Sequence, residues 1–219
     1  MLRDYTEGMA KWLAPLGLLL TWALTLWAYG QLPERIPVHW NAEGVADRYG
    51  SRMEVFLLPL VLTLLYLLLA LAPRLDPKLR ETPRVWPWLM GAVVWSLALL
   101  QATFLYAAWR QVQGEPFSVN QAVLLGVGLV FVLLGLLLPR LPANYFAGVR
   151  TPWTLESPRV WQATHRQAGW VFLLLGLLAW GVALAGGQGA GLWLWLGALL
   201  LGGLYLVLFS YLAWRRETG

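Results

Sequence analysis

The sequence predicts an all-α polytopic membrane protein with six transmembrane helices. Of its 219 residues, 59% are hydrophobic and 12% are charged, whereas a soluble globular domain carries about 25% charged residues. The charges are also unevenly placed, because five stretches contain no Asp, Glu, Lys, Arg or His: residues 12–33, 55–73, 85–109, 116–139 and 167–214. The absence of Cys excludes a disulfide scaffold.

Each stretch is long enough to cross a bilayer, since a helix of about 20 apolar residues spans the hydrocarbon core. The first four stretches predict one span each, and the fifth, of 48 residues, predicts two spans separated by a glycine-rich turn at 186–191. The first span ends at Trp27 and Tyr29 instead of a small-residue cleavage site, so we expect it to stay as an anchor. The expected spans are about 12–30, 55–73, 88–109, 121–139, 167–185 and 192–213.

The basic residues predict how the spans are oriented. Twelve of the 16 Lys and Arg lie in the N-terminus, the second and fourth connections and the C-terminus. The first and third connections hold the other four, which are Arg35, Arg48, Arg52 and Arg110. Because basic loops are retained in the cytoplasm, we expect both termini and the second and fourth connections to be cytoplasmic. The net charge of +5 is therefore a topology signal and does not imply nucleic acid.

The predicted spans carry no ionisable side chain, although pumps and ion-coupled transporters usually hold such groups inside the bilayer. We interpret the polar residues of the spans as partners in backbone or interhelical hydrogen bonds: Thr21, Thr25, Thr63, Ser96, Gln101, Thr103, Gln121, Gln167 and Ser210. Gln101 needs such a partner most, because it lies near mid-membrane. Six glycines are expected to let helices approach closely: Gly126, Gly128, Gly135, Gly197, Gly202 and Gly203.

The first connection, at 31–54, is predicted to be an ordered outer loop. Pro33 and Pro37 favour an extended entry, and turn-forming residues follow them. In one interpretation, His39 and Trp40 dock the loop on the spans while Asp47 caps a turn or pairs with a nearby arginine, Arg48 or Arg52. In the other, the loop binds an external ligand. The candidate ligand-binding residues are His39, Trp40, Asn41 and Asp47.

Metal binding and catalysis are weaker interpretations of this loop. Its spacing does not fit an EF-hand, and zinc normally needs three or four ligands, whereas His39 and Glu43 are the only adjacent ligand types. A catalytic alternative has His39 as general base, oriented by Asp47 or Glu43, with Ser51 as nucleophile. No nucleophile motif surrounds Ser51.

The fourth connection, at 140–166, is predicted to end in a short helix lying at the inner interface. Ser157 suits the N-cap of that helix and Pro158 its first position. One face is expected to hold Trp161, Thr164, His165 and Ala168. Aromatic side chains are expected around Arg150 at headgroup level, and these are Tyr145, Phe146 and Trp153. This loop either anchors the chain or docks a cytoplasmic partner.

Both loops carry motifs that resemble one family. Residues 32–47 resemble the N-terminal uncharacterised domain of SdpI-like membrane proteins, in the pattern Leu32-Pro33-x-x-Ile36-Pro37-x-His39-Trp40-Asn41-x-x-Gly44-x-x-Asp47. Residues 144–166 resemble the C-terminal SdpI signature, in the pattern Asn144-Tyr145-Phe146-x-Gly148-x-Arg150-Thr151-Pro152-Trp153-Thr154-Leu155-x-Ser157, followed by Trp161 and Thr164-His165-Arg166. The resemblance predicts an N-terminal region at 1–87, with two spans and the outer loop 31–54, and an SdpI-like region at 88–219, with four spans and loop 140–166.

This resemblance implies a function at the bacterial cytoplasmic membrane. SdpI is an immunity protein against a secreted sporulation-delaying peptide toxin, and it is also a receptor that recruits an ArsR-type repressor. We therefore expect an extracellular apolar peptide or lipid as one partner, a cytoplasmic ArsR-type repressor as another, and neither catalysis nor a cofactor nor a metal. The peptide would bind at His39, Trp40, Asn41 and Asp47. The repressor would bind at Asn144, Arg150, Thr151, Trp153, Trp161 and His165.

Two other functions stay open. A membrane enzyme acting on a lipid or peptide would use His39 with Asp47, or His165 with Glu156. The two histidines are predicted on opposite faces of the membrane, so they would not share one site. A transporter of a neutral substrate would work without proton or sodium gradients.

Overall fold

The computed structural model describes residues 2–80, 84–115, 117–187 and 189–219, with side chains from residue 8 onward except that of Arg80. Within these ranges it contains six helices long and apolar enough to cross a membrane, which confirms the predicted fold class. They are α1 (Leu2–Gln31), α2 (Leu57–Leu75), α4 (Trp86–Val112), α5 (Val119–Leu137), α7 (Pro158–Leu184) and α8 (Ala190–Thr218). Two shorter helices are α3 (Pro77–Arg80) and α6 (Pro152–Glu156), and single 3-10 turns occupy Arg52–Phe56 and Leu138–Arg140.

Five of the six long helices, all except α5, extend past the charge-free stretches that predict them. The clearest case is α7, which begins at Pro158 because Ser157 caps it, with the Ser157 hydroxyl accepting the backbone N–H of Val160. The predicted cap is confirmed, but the separate short helix at the interface is wrong, because its residues form the first turns of α7. The predicted turn after α7 is confirmed at Gly186, Gly187 and Gly189, which adopt positive φ values of 109°, 69° and 56°. Gln188 of that turn lies outside the described residues.

The first connection forms a β-hairpin at one end of the helix bundle. Strand β1 (Arg35–Trp40) pairs antiparallel with β2 (Ala46–Ser51). Ile36 of β1 and Val55 after β2 are fully buried in a cluster that includes Leu105 and Ala108, near the end of α4. Residues 138–157 pack at the other end of the bundle, against the start of α4 at Trp86 and Leu89. We call these two ends the hairpin end and the loop end.

Paired glycines bring α5 and α7 into backbone contact. A Cβ atom added to Gly176 would lie 2.8 Å from the carbonyl oxygen of Gly128, and one added to Gly135 would lie 2.9 Å from that of Gly169. The predicted close approach is therefore confirmed at Gly128 and Gly135. The prediction is wrong at Gly197 and Gly203 of α8, where an added Cβ atom would meet nothing within 4 Å.

Several polar side chains of the spans form hydrogen bonds inside the protein, as the sequence interpretation expects. Thr21 and Thr25 donate to the carbonyls one turn earlier in α1, at 2.7 and 2.8 Å. The Nε2 amide of Gln101 donates to the Thr25 hydroxyl at 3.0 Å and to the Val55 carbonyl at 2.9 Å. The partner expected for Gln101 is thus found, and it ties α4 to α1 and to the end of the hairpin.

Replacing Gly176 by Ala is expected to destabilise the protein. The added methyl must push apart the backbones of α5 and α7, which costs about 1–3 kcal/mol for an overpacked contact. The measurement is the thermal midpoint of the purified protein in detergent. Gly197→Ala is the matched control, because it has open space and gains about 1 kcal/mol of helix propensity. Equal behaviour of the two variants would contradict the close packing.

Candidate functional site

The hairpin turn is built around Asn41. Its side-chain Oδ1 accepts the backbone N–H groups of Glu43 at 3.1 Å and Val45 at 2.9 Å. The backbone closes the same turn, since Asn41 N–H donates to Val45 and Gly44 N–H donates to Asn41. Gly44 has a φ of 77°, a left-handed conformation that glycine adopts without strain. Asn41 therefore fixes the shape of the hairpin tip.

The tip is docked on the spans by contacts at the start of the turn. The Nδ2 of Asn120, in the first turn of α5, donates to the carbonyls of Asn41 at 3.2 Å and Ala42 at 2.8 Å. The Trp40 ring packs edge-on against Phe104 of α4, with centroids 5.9 Å apart. The docking role expected of Trp40 is confirmed. The sequence interpretation did not identify Asn120, although an amide at the start of a span is a signal for such a contact.

His39 does not dock, which corrects the first interpretation of the loop. Its Nδ1 hydrogen-bonds Oδ1 of Asp47 at 2.6 Å, and the two side chains are 60% and 44% exposed. The strand register shifts on both sides of His39, and such bulges redirect side chains. The pairing expected between Asp47 and an arginine is also wrong, since Arg48 lies 3.7 Å from Glu54 and Arg52 lies over the Tyr29 ring.

This pair is an exposed imidazole–carboxylate site on a rigid support. It can donate to a carbonyl and accept from an N–H group. The catalytic alternative also needs a nucleophile, but Ser51 is four residues beyond Asp47 along β2, about 13 Å in an extended strand. Among the described residues, no group of three or more His, Cys, Asp or Glu is placed to hold a metal ion.

At the loop end, Asp76 joins the second and fourth connections. Its side chain is 1% exposed. One carboxylate oxygen accepts the backbone N–H of Tyr145 at 2.7 Å, and the other accepts that of Lys78 at 2.9 Å. The sequence interpretation did not identify this contact. An Asp directly before Pro77, at the start of α3, is nevertheless a recognisable helix-start signal.

Asn144 shapes the fourth connection from inside. It is fully buried. Its Oδ1 accepts the N–H groups of Phe146 and Ala147 at 2.8 and 2.7 Å, and its Nδ2 donates to the Pro142 carbonyl at 2.8 Å. All the hydrogen bonds found for this amide are thus made to its own loop.

A stacked pair of rings supports the same connection. Trp161 and His165 share the predicted face of α7, with ring centroids 4.0 Å apart and planes inclined by 18°. The Trp161 indole donates to the Leu141 carbonyl, and the buried His165 accepts the Val149 N–H at 3.1 Å through Nε2. Nδ1 of His165 donates to the Trp161 carbonyl at 2.8 Å, which assigns the neutral tautomer with the proton on Nδ1. Both ring nitrogens are therefore occupied by the backbone.

The short helix α6 ties the loop to α8. Thr151 and Thr154 form a reciprocal capping box at its start. The Thr151 hydroxyl also donates to Ser210 of α8 at 3.0 Å, and Ser157 donates to the Glu217 carboxylate at 2.6 Å. These contacts place the loop against the end of the last span.

The predicted partner-binding residues consequently divide into two groups. Arg150 is exposed and donates to the Tyr145 carbonyl, while Trp153 is partly buried beside the Tyr211 ring, with centroids 5.1 Å apart. The other four are buried and shape the loop from within: Asn144, Thr151, Trp161 and His165. Of the predicted residues, Arg150 and Trp153 are thus accessible to a partner, and the exposed ring of Tyr145 lies beside Arg150.

Two parts of the chain match known families. Residues 16–63 match a domain of unknown function, DUF1648, and residues 140–212 match the SdpI/YfhL protein family. The chain is 26% identical over 160 residues to the Immunity protein SdpI of Bacillus subtilis, which covers 73% of this chain and 74% of that protein. A shorter match, 43% identical over 49 residues, is to an uncharacterized protein of Archaeoglobus fulgidus and covers 27% of it. No solved structure matches significantly. The resemblance to SdpI-like proteins is confirmed.

Replacing Asp76 by Ala is expected to loosen the loop end. Two backbone N–H groups then lose their acceptor, and each such loss costs about 1–3 kcal/mol when the group is buried. The measurement is the rate of tryptic cleavage after Arg150 in the detergent-solubilised protein. We expect faster cleavage for Asp76→Ala and an unchanged rate for Glu156→Ala, whose side chain is exposed at the same end. An unchanged rate in both variants would contradict the role of Asp76.

Proposed function

We propose that this SdpI-like chain is a bacterial membrane immunity protein that binds an extracellular apolar peptide at its hairpin end. The observation that carries the proposal is the exposed His39–Asp47 pair on a hairpin anchored to the ends of α1, α4 and α5. The similarity to the Immunity protein SdpI supports the same role. The basic residues support placing the hairpin end outside the cell.

The geometry favours binding over catalysis. His39 and Asp47 offer hydrogen-bond donors and acceptors of the kind that a peptide backbone needs. Their exposure means that a partner can reach both side chains without local unfolding. The hydroxyl of Ser51, the candidate nucleophile, is engaged elsewhere, since it accepts the Met53 N–H farther along the chain.

An apolar pocket lies beside the hairpin, between α1 and α4. It has a volume of about 400 Å³ and includes Leu24, Trp27, Leu105 and Trp109 in its walls. An apolar peptide concentrates in the outer leaflet by the hydrophobic effect. There it meets this pocket while its polar groups reach the hairpin at the membrane surface.

Signalling to a cytoplasmic ArsR-type repressor is the second half of the proposal. Helix α4 contacts the hairpin through Leu105 and Ala108, and it contacts the loop end through Trp86 and Leu89. A peptide that favours one packing of α4 would therefore change the position and exposure of Arg150 and Trp153 at the other end. The repressor would dock on that surface when the peptide is bound.

A survival assay tests the outer half of the proposal. The chain is expressed in a bacterium that is sensitive to the sporulation-delaying peptide toxin and lacks its own immunity protein. We expect the wild type to raise the half-inhibitory toxin concentration. His39→Ala and Asp47→Ala should lower it by about tenfold, since a hydrogen bond to a charged group contributes about 1.4 kcal/mol or more.

The control variant is Glu43→Ala, because that side chain is also exposed on the hairpin. Exposed ion pairs contribute only about 0–1 kcal/mol to folding, so loss of protection in the His39 and Asp47 variants would not arise from unfolding. Membrane levels of all variants are compared by immunoblot. Full protection by His39→Ala and Asp47→Ala would show that the pair does not bind the toxin.

A further inference from the structure

A second cleft lies at the hairpin end, on the side of the bundle where α2 meets α4. It has a volume of about 400 Å³. Its walls are apolar and include Val38, Leu57, Val61, Leu100 and Phe104, and Gln101 contributes the polar group of its lining inside the membrane. Neither His39 nor Asp47 lines it, so it is separate from the exposed pair. We call it the Gln101 cleft.

Gln101, which lines this cleft, carries an unused acceptor. Its side chain is 1% exposed, and both N–H bonds of its Nε2 are directed to protein acceptors. Its Oε1 has no hydrogen-bond partner among the described residues. The two groups bonded to Nε2 do not supply a donor for Oε1, because the Thr25 hydroxyl donates to Thr21 and the Val55 carbonyl is itself an acceptor. A buried side-chain oxygen without a partner is uncommon in a folded protein.

We infer that the Gln101 cleft is a binding subsite for an apolar peptide segment that donates a backbone or indole N–H to Oε1 of Gln101. This inference rests on the proposed function and adds a second contact surface to it. A lipid acyl chain would also fill the apolar walls, but it has no donor and would leave Oε1 unpaired. A single water molecule needs two to four polar partners, and the walls of the cleft are mostly apolar.

The mouth of the cleft suits a peptide as well. Arg48 and Glu54 line it, 3.7 Å apart, with side chains 63% and 38% exposed. A pair of this length and exposure holds together weakly in water. Its guanidinium and carboxylate are available to a peptide carbonyl and a peptide N–H where the segment leaves the membrane. The cleft thus combines apolar walls, a buried acceptor and two charged side chains.

Photo-crosslinking tests the inference on the full chain in lipid nanodiscs. The probe is a capped eight-residue leucine peptide with one diazirine-bearing leucine. The control peptide is the same peptide methylated at every backbone nitrogen, so that it has no backbone N–H donor. We expect crosslinks within residues 57–61 and 100–104. At equal membrane-bound concentration, the methylated peptide should give about tenfold less product, which corresponds to about 1.4 kcal/mol.

Leu57→Trp should fill the cleft and abolish the crosslinks, whereas the matched control Leu60→Trp should not. Leu60 is also exposed on α2 but does not line the cleft. Equal crosslinking by the two peptides, or equal loss in the two variants, would overturn the inference.

The survival assay separates this inference from the proposed function. If wild type and Leu57→Trp protect equally, the cleft has no role in immunity while the immunity function stands. If wild type does not protect at all, the proposed function is wrong, and the crosslinking result alone then decides whether the cleft binds a peptide.

Discussion

The hydrocarbon core supplies no hydrogen-bond partner, so every polar group inside it has to be satisfied by the protein. This constraint explains the interior of the bundle. Thr21 and Thr25 donate hydrogen bonds to carbonyls of their own helix, and Gln101 donates to α1 and to the end of the hairpin. Where α5 and α7 meet, paired glycines replace polar contacts with close backbone packing. Among the described residues, the buried side-chain oxygens without a partner include Oε1 of Gln101, a residue that lines a cleft.

Because of the same constraint, the ionisable groups lie at the two ends of the bundle, and their surroundings differ between the ends. At the hairpin end, His39 and Asp47 are paired and exposed, on a turn whose backbone is fixed by Asn41 and Asn120. At the loop end, polar side chains are buried and hold irregular backbone. Asp76 accepts hydrogen bonds from two backbone N–H groups there, and His165 accepts one from a third. The hairpin end therefore exposes polar groups to which a ligand can bind, whereas the polar groups of the loop end mainly stabilise the loop.

The sequence predicted the spans well because charge-free runs report directly what the bilayer tolerates. The Ser157 cap and the glycine turn after α7 were also predictable, since both are local signals. Other features depend on partners that are distant along the chain. Asp76 meets Tyr145, and Asn120 meets the hairpin tip, only once the helices have packed. Prolines and turn formers predicted an ordered first loop but not its pairing into strands. One of the two interpretations of that loop placed His39 on the spans, whereas the structure exposes it to solvent.

In the proposed topology, the hairpin end and the loop end lie on opposite sides of the membrane, and thiol labelling can test this placement. The chain contains no Cys, so the single-cysteine variants His39→Cys and Arg150→Cys each carry one reactive thiol. In intact cells, a membrane-impermeant maleimide should label the first variant and should label the second only after the cells are opened. Labelling of both thiols from the same side would contradict the account.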